Sequence, residues 1–184
     1  MQHPKIPQTF YARDTLLVAR DLIGKHLVRR LPDGTLLSGI INETEAYCGP
    51  QDLACHASKG RTARTSVMFG PPGHWYVYLI YGMYWCANLV TEQEDYPAAV
   101  LLRGVLAGPE LPPGIKTDGP GKLCRAFQID KSVNWTPSFG DQAGVWVEDR
   151  CTAVPPSHVA TTPRIGVAYA GEYKDKPWRF LWKG

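Results

Sequence analysis

Between residues 7 and 25 the apolar positions Phe10, Leu16, Leu17, Ala19, Leu22 and Ile23 recur at a helical period. Asp14 supplies an N-cap near the start of this segment, and Gly24 ends it. The pattern then changes to strands. Residues 26–30 and 36–47 read as two strands joined by the tight turn Pro32-Asp33-Gly34. Residues 48–72, rich in Gly, Pro, Ser and Thr, read as loop, with a short helical turn over 52–56 carrying His56 inward. Residues 98–105, AAVLLRGV, form a nearly continuous apolar run of the kind a buried central strand shows. A proline-rich connector over 108–117 leads to Gly119-Pro120-Gly121-Lys122, which opens a helix through Leu123, Cys124, Ala126 and Phe127. Residues 145–147, 163–167 and 178–182 complete the predicted strands.

The densest aromatic stretch lies at residues 73–90, GHWYVYLIYGMYWCANLV. Trp75, Tyr76, Tyr78 and Tyr81 precede Gly82, and Tyr84 and Trp85 follow it. Aromatic and β-branched residues favour strands, and the glycine marks a chain reversal, so this stretch predicts a hairpin with Tyr81, Gly82 and Met83 at its tip. Hairpin tips are normally polar. Bulky residues there either fold back onto the core or wedge into another molecule, such as a stack of bases. Short strands outnumber helices throughout, which predicts an α+β fold: one compact domain over residues 1–184, with a curved, mostly antiparallel sheet and helices packed around it.

Composition changes this picture little. A chain of 184 residues, 44% apolar and 20% charged, can bury a substantial core. A net charge of +3 permits a polyanionic partner without requiring one. No apolar run approaches the roughly 20 residues of a membrane span. The first fourteen residues lack an apolar signal core, so an intracellular, cytoplasmic protein is expected. Five cysteines, odd in number and unclustered, argue against a disulfide framework. Cys48, Cys55 and His56 lie close together but lack zinc-ligand spacing, and neither a metal nor another cofactor is expected.

Candidate chemistry begins with Glu43-Thr44-Glu45-Ala46-Tyr47. At a period of two, Glu43, Glu45 and Tyr47 share one face of the strand, where the two carboxylates repel. They are solvated at a sheet edge, or hold a buried arginine, or one is fixed for base chemistry. Arg103, inside an apolar run, requires either a carboxylate partner or a ligand. Lys59, Arg61 and Arg64, interspersed with Thr62, Thr65 and Ser66, suit phosphate oxygens and equally suit a solvated loop. The glycine-rich helix start at Lys122 is a further candidate anion contact. Over residues 163–184, Arg164, Lys174, Lys176, Arg179 and Lys183 outnumber Glu172 and Asp175, as a solvated tail or the border of a nucleic-acid surface.

Taken together, LIGKHLVRRLPDG, ETEAYCGPQDLACH, MFGPPGHWYVYLIYGMYWCANLV, AVLLRG, GPGKLCRAFQIDKS and PRIGVAYAGEYKDKPWRF resemble the alkyladenine (3-methyladenine) DNA glycosylase family. The pieces occur in the family's order and cover most of the chain; ETEAY with the downstream histidine and the YVYxIYGMYxCxN run are the specific ones. The resemblance implies a hairpin projecting from the surface, and a monofunctional enzyme that flips alkylated or deaminated purines out of duplex DNA. It implies Glu45 as the general base, with Arg103 holding Glu45 and the attacking water. Tyr47, His56 and Tyr78 would line the pocket of the flipped base, and Asn88 would discriminate among purines from its floor. Tyr81 would be inserted into the DNA in place of the extruded base, while Arg61 and Arg64 in the basic loop and Lys122 at the glycine-rich helix start are the candidate backbone contacts. The expected partner is double-stranded DNA bearing damaged purines, bound by a monomer. No lysine lies between Glu43 and His56 to serve as a Schiff-base nucleophile.

Two other readings compete. A carbohydrate hydrolase would use Glu43 and Glu45 as its pair, but residues two apart on a strand lie ~6.5–7 Å apart and point the same way, so they cannot easily flank a sugar ring. A non-catalytic nucleic-acid-binding module would use the aromatic run as a stacking platform, leaving Glu45 and Arg103 without a role.

Overall fold

The computed structural model describes residues 3–141 and 143–184. Two short helices, α1 (Gln8–Tyr11) and α2 (Thr15–Asp21), replace the single predicted helix. The reason is the cap itself: the Asp14 side chain accepts the Leu17 amide at 3.0 Å and starts a new helix, so the chain breaks just before it. Strands β1 (His26–Arg30) and β2 (Leu36–Tyr47) follow with the bounds predicted around the Pro32-Asp33-Gly34 turn. The hairpin strands β3 (Trp75–Ile80) and β4 (Tyr84–Val90) and the apolar strand β5 (Ala99–Ala107) come next. Helix α3 (Pro120–Ala126) and strands β6 (Val145–Glu148), β7 (Val159–Thr162) and β8 (Arg179–Trp182) complete the fold.

All eight strands join one curved antiparallel sheet, in the order β3-β4-β5-β2-β1-β6, with β8 on β2 and β7 on β8. Strand β2 is its spine. Its first half pairs with β1, and its second half pairs with β5 and β8. The change of partner coincides with register shifts around Asn42 and Glu43, an irregularity of the kind that bends a strand and re-aims its side chains. Leu27, Ile41, Ala46, Trp75, Leu89, Leu102, Leu123 and Phe127 are all buried in the main core, each large side chain contributing about 1.5–3 kcal/mol. Thr44 Oγ donates to the Ala19 carbonyl at 2.8 Å and ties α2 to the spine beside Glu45.

Two predicted elements are corrected. Residues 163–167 are not a strand: Pro163 has no amide to give a ladder, and Gly166 at φ 78° turns the chain. The strand lies just upstream, in β7. The helical turn predicted over 52–56 falls instead at His56–Lys59, because Asp52 accepts the Ala54 amide at 3.0 Å and closes a side-chain turn there.

Candidate active site

At the hairpin tip, Tyr81 and Gly82 both adopt positive φ, 54° and 68°, and the Met83 amide bonds to the Ile80 carbonyl at 3.2 Å. Glycine takes that backbone freely; tyrosine does so at a cost of roughly 1–2 kcal/mol. Tyr81 is 83% exposed, so no core packing offsets that cost. By contrast Trp75 and Leu89 are wholly buried and Trp85 packs against the core, giving the base of the hairpin its anchorage.

Beneath the tip lies a cavity of about 230 Å³. Of the residues expected from sequence, Tyr47, His56, Tyr78, Tyr81, Asn88 and Arg103 all line it. They come from β2, the following loop, both hairpin strands and β5. The His56 and Tyr78 rings meet edge to face at 4.6 Å, and His56 Nδ1 shares a hydrogen bond with the Tyr76 hydroxyl at 3.0 Å. Burial, assisted by the Arg64 charge, lowers the His56 pKa to about 4, so its ring is neutral at physiological pH. Asn88 is buried, its side-chain amide donating to the Tyr76 carbonyl at 3.0 Å.

Glu45 sits behind the cavity wall with no exposed surface. Its Oε1 accepts the Ile165 amide at 2.7 Å, and its Oε2 accepts the Tyr47 hydroxyl at 2.9 Å. Arg103 approaches both oxygens at 3.4 Å, the longest contacts the carboxylate makes. Arg103 also donates through Nε to Glu43 Oε1 at 3.0 Å, and Arg179 Nε reaches that same oxygen at 2.6 Å. Two carboxylates therefore face two guanidinium groups. Desolvation raises the Glu45 pKa, while Arg103, the Ile165 amide and the Tyr47 hydroxyl act against the rise.

The predicted backbone contacts are placed differently from one another. Arg64 is exposed and stacks at 4.7 Å over Tyr78, at the cavity wall. Arg61 pairs with Asp95 at 2.6 Å and lies over Phe69. Lys122 pairs with Asp118 at 3.1 Å and lines a separate groove of about 690 Å³ between the hairpin and α3. Sequence reasoning missed Arg164 and Arg179, read there as part of a solvated tail or the border of a nucleic-acid surface; each pairs with a carboxylate inside the protein. It also missed the Ile165 amide, since a backbone donor leaves no mark on sequence. Among the described residues no group of three or more His, Cys, Asp or Glu side chains is placed to hold a metal ion.

This geometry suits a hydrolase that admits a flat ring between aromatic walls and works on it with one carboxylate. Residues 9–184 match the family model for methylpurine-DNA glycosylase (MPG), and the chain belongs to that family of N-glycosyl hydrolases. It is 50% identical to a Methanocella arvoryzae protein over 96% of this chain and 92% of that one. A Myxococcus xanthus protein is also 50% identical, over 96% and 89%. A Legionella pneumophila protein is 46% identical over 97% and 94%. All three bear the name "Putative 3-methyladenine DNA glycosylase".

Proposed function

We propose that this DNA glycosylase extrudes alkylated or deaminated purines from duplex DNA and releases them with a water activated by Glu45, starting base excision repair. The observation that carries this reading is the buried Glu45 carboxylate beside Arg103, at the back of an aromatic cavity.

A base inside a duplex is out of reach, and unstacking it costs a few kcal/mol, least for damaged or mispaired bases. Tyr81 fills the vacated stack; base–aromatic stacking, worth ~1–3 kcal/mol, offsets part of that cost. The extruded base lies against Tyr47, His56 and Tyr78, and a cationic alkylpurine gains further from the aromatic faces. Asn88 reads the purine edge from the floor. Water enters between Glu45 and Arg103, where the 3.4 Å contacts open most readily, and gives its proton to Glu45 as it attacks C1′. The sugar passes through an oxocarbenium-like state, and a cationic base departs with the bonding electrons, needing no acid. A neutral lesion also needs a proton on the departing base. Among the described residues no lysine lines the cavity, which supports a monofunctional enzyme that leaves an abasic site. Action as an intracellular monomer is part of the same proposal.

The test is release of free base from duplex DNA treated with a methylating agent. Release by the wild type, and its loss in Glu45→Gln with lesion binding retained, is the expected result. Binding without release in the wild type points to a non-catalytic module; borohydride trapping of a covalent adduct overturns the monofunctional step.

A further inference from the structure

Arg164 and Asp52 form a side-chain pair with no exposed surface, between the loop after β2 and the loop before β8. Arg164 Nη2 donates to Asp52 Oδ1 at 2.8 Å, and Nη1 bonds both Asp52 Oδ2 and the Ala46 carbonyl. The guanidinium lies between two rings, 4.8 Å from Tyr47 and 4.9 Å from Trp178. Asp52 also accepts the amides of Cys48 and Ala54, fixing the segment that leads into His56. A buried ion pair is weak evidence for stability, because desolvation cancels much of its attraction and apolar isosteres often do as well. Its neighbours suggest another use. Each neutral donor to Glu45 adjoins the pair: Ile165 follows Arg164 in the chain, and Tyr47 follows Ala46 and stacks on the guanidinium.

We propose that the Arg164–Asp52 pair is a positioning clamp, which fixes the Tyr47 ring and the Ile165 amide so that both donors stay on the Glu45 carboxylate. Arg164 and Asp52 act through other groups and touch no substrate. The inference rests on Glu45 being the base. Glu45 faces Glu43 on its own strand and Arg103 from β5, with Cys86 on β4 nearby and Arg179 from β8 acting through Glu43. None of these four is a hydrogen-bond or ion-pair partner of Arg164 or Asp52. Loosening it withdraws two hydrogen bonds that favour the ionised carboxylate, so Glu45 then holds its proton to higher pH.

The experiment measures single-turnover base release from a methylated duplex against pH, with enzyme in excess, for Arg164→Lys and for the paired change Asp52→Leu with Arg164→Met. The paired change leaves no lone buried charge and so keeps the fold testable if the lysine variant does not fold. Expected in a folded variant is a rate about 10- to 100-fold lower and an acid limb moved to higher pH. A folded variant with the wild-type rate and acid limb, or a loss that only follows the folded fraction, overturns the clamp. Glu45→Gln is run alongside. Turnover retained there overturns the base assignment and the clamp together, whereas turnover lost there with unaltered clamp variants overturns the clamp alone.

Discussion

Arg179 Nε lies 2.6 Å from Glu43 Oε1. Because Arg103 donates to the same oxygen, Glu43 divides its charge between two guanidinium groups, and this leaves Arg103 able to face Glu45 as well. Arg179→Gln gives Arg103 to Glu43 and weakens its hold on Glu45. The expected outcomes are an acid limb of base release moved to higher pH and a stability loss of about 2 kcal/mol in urea denaturation. Unchanged pH dependence would remove Arg179 from the site.

Glu45 makes its own pH signature. Burial raises its folded pKa above the ordinary 4.5, so the folded state binds the proton more tightly than the unfolded chain. That preference stabilises the fold fully below the unfolded value, and the stabilisation is lost as pH rises through the folded pKa. Glu45→Gln is therefore expected to be the more stable protein at neutral pH, with the gap closing as pH falls towards 4.5. Thermal denaturation of both proteins across pH checks the sign.

Tyr81 sets stability against activity. Asparagine tolerates positive φ better than tyrosine, so Tyr81→Asn is expected to hold or raise stability, by up to about 1 kcal/mol. The same change removes the ring proposed to fill the base stack. Release from an intact duplex should fall by more than release from a single strand; equal losses on both count against insertion.

His56 is expected to stay neutral down to about pH 4. Its ring signals in an NMR titration should therefore be flat across roughly pH 5 to 8, where an ordinary histidine titrates. Arg64→Ala should move the midpoint part of the way back towards 6.5, since desolvation, the larger cause, remains. A midpoint near 6.5 in the wild type would overturn the neutral assignment of His56.

Much of the strand plan is legible in the chain. Gly24 and the Pro32-Asp33-Gly34 turn bound β1 and the start of β2, and the aromatic run with Gly82 bounds the hairpin and its tip. Arg103, by standing inside an apolar run, announces that it needs a carboxylate or a ligand, and it has two carboxylates. Arg164 and Arg179 give no such notice, because Arg164 stands between a proline and a glycine-bearing turn, and both lie in a stretch whose basic residues outnumber its acidic ones. Pro163 to Val167 reads as a strand from its composition, yet its tertiary task is to present the Ile165 amide to Glu45.

Periodicity and turn chemistry are local properties, so the sequence by itself determined where β1 to β5 run, and its motifs brought Glu45, Tyr81 and Arg103 into view. Which of two glutamates is sealed from water was not local. That choice depends on β5, β8 and the residue 163–170 loop closing over β2 from 58 to 136 residues away in the chain. Burial and charge pairing follow from contacts between distant segments, and only the tertiary structure brings those segments together.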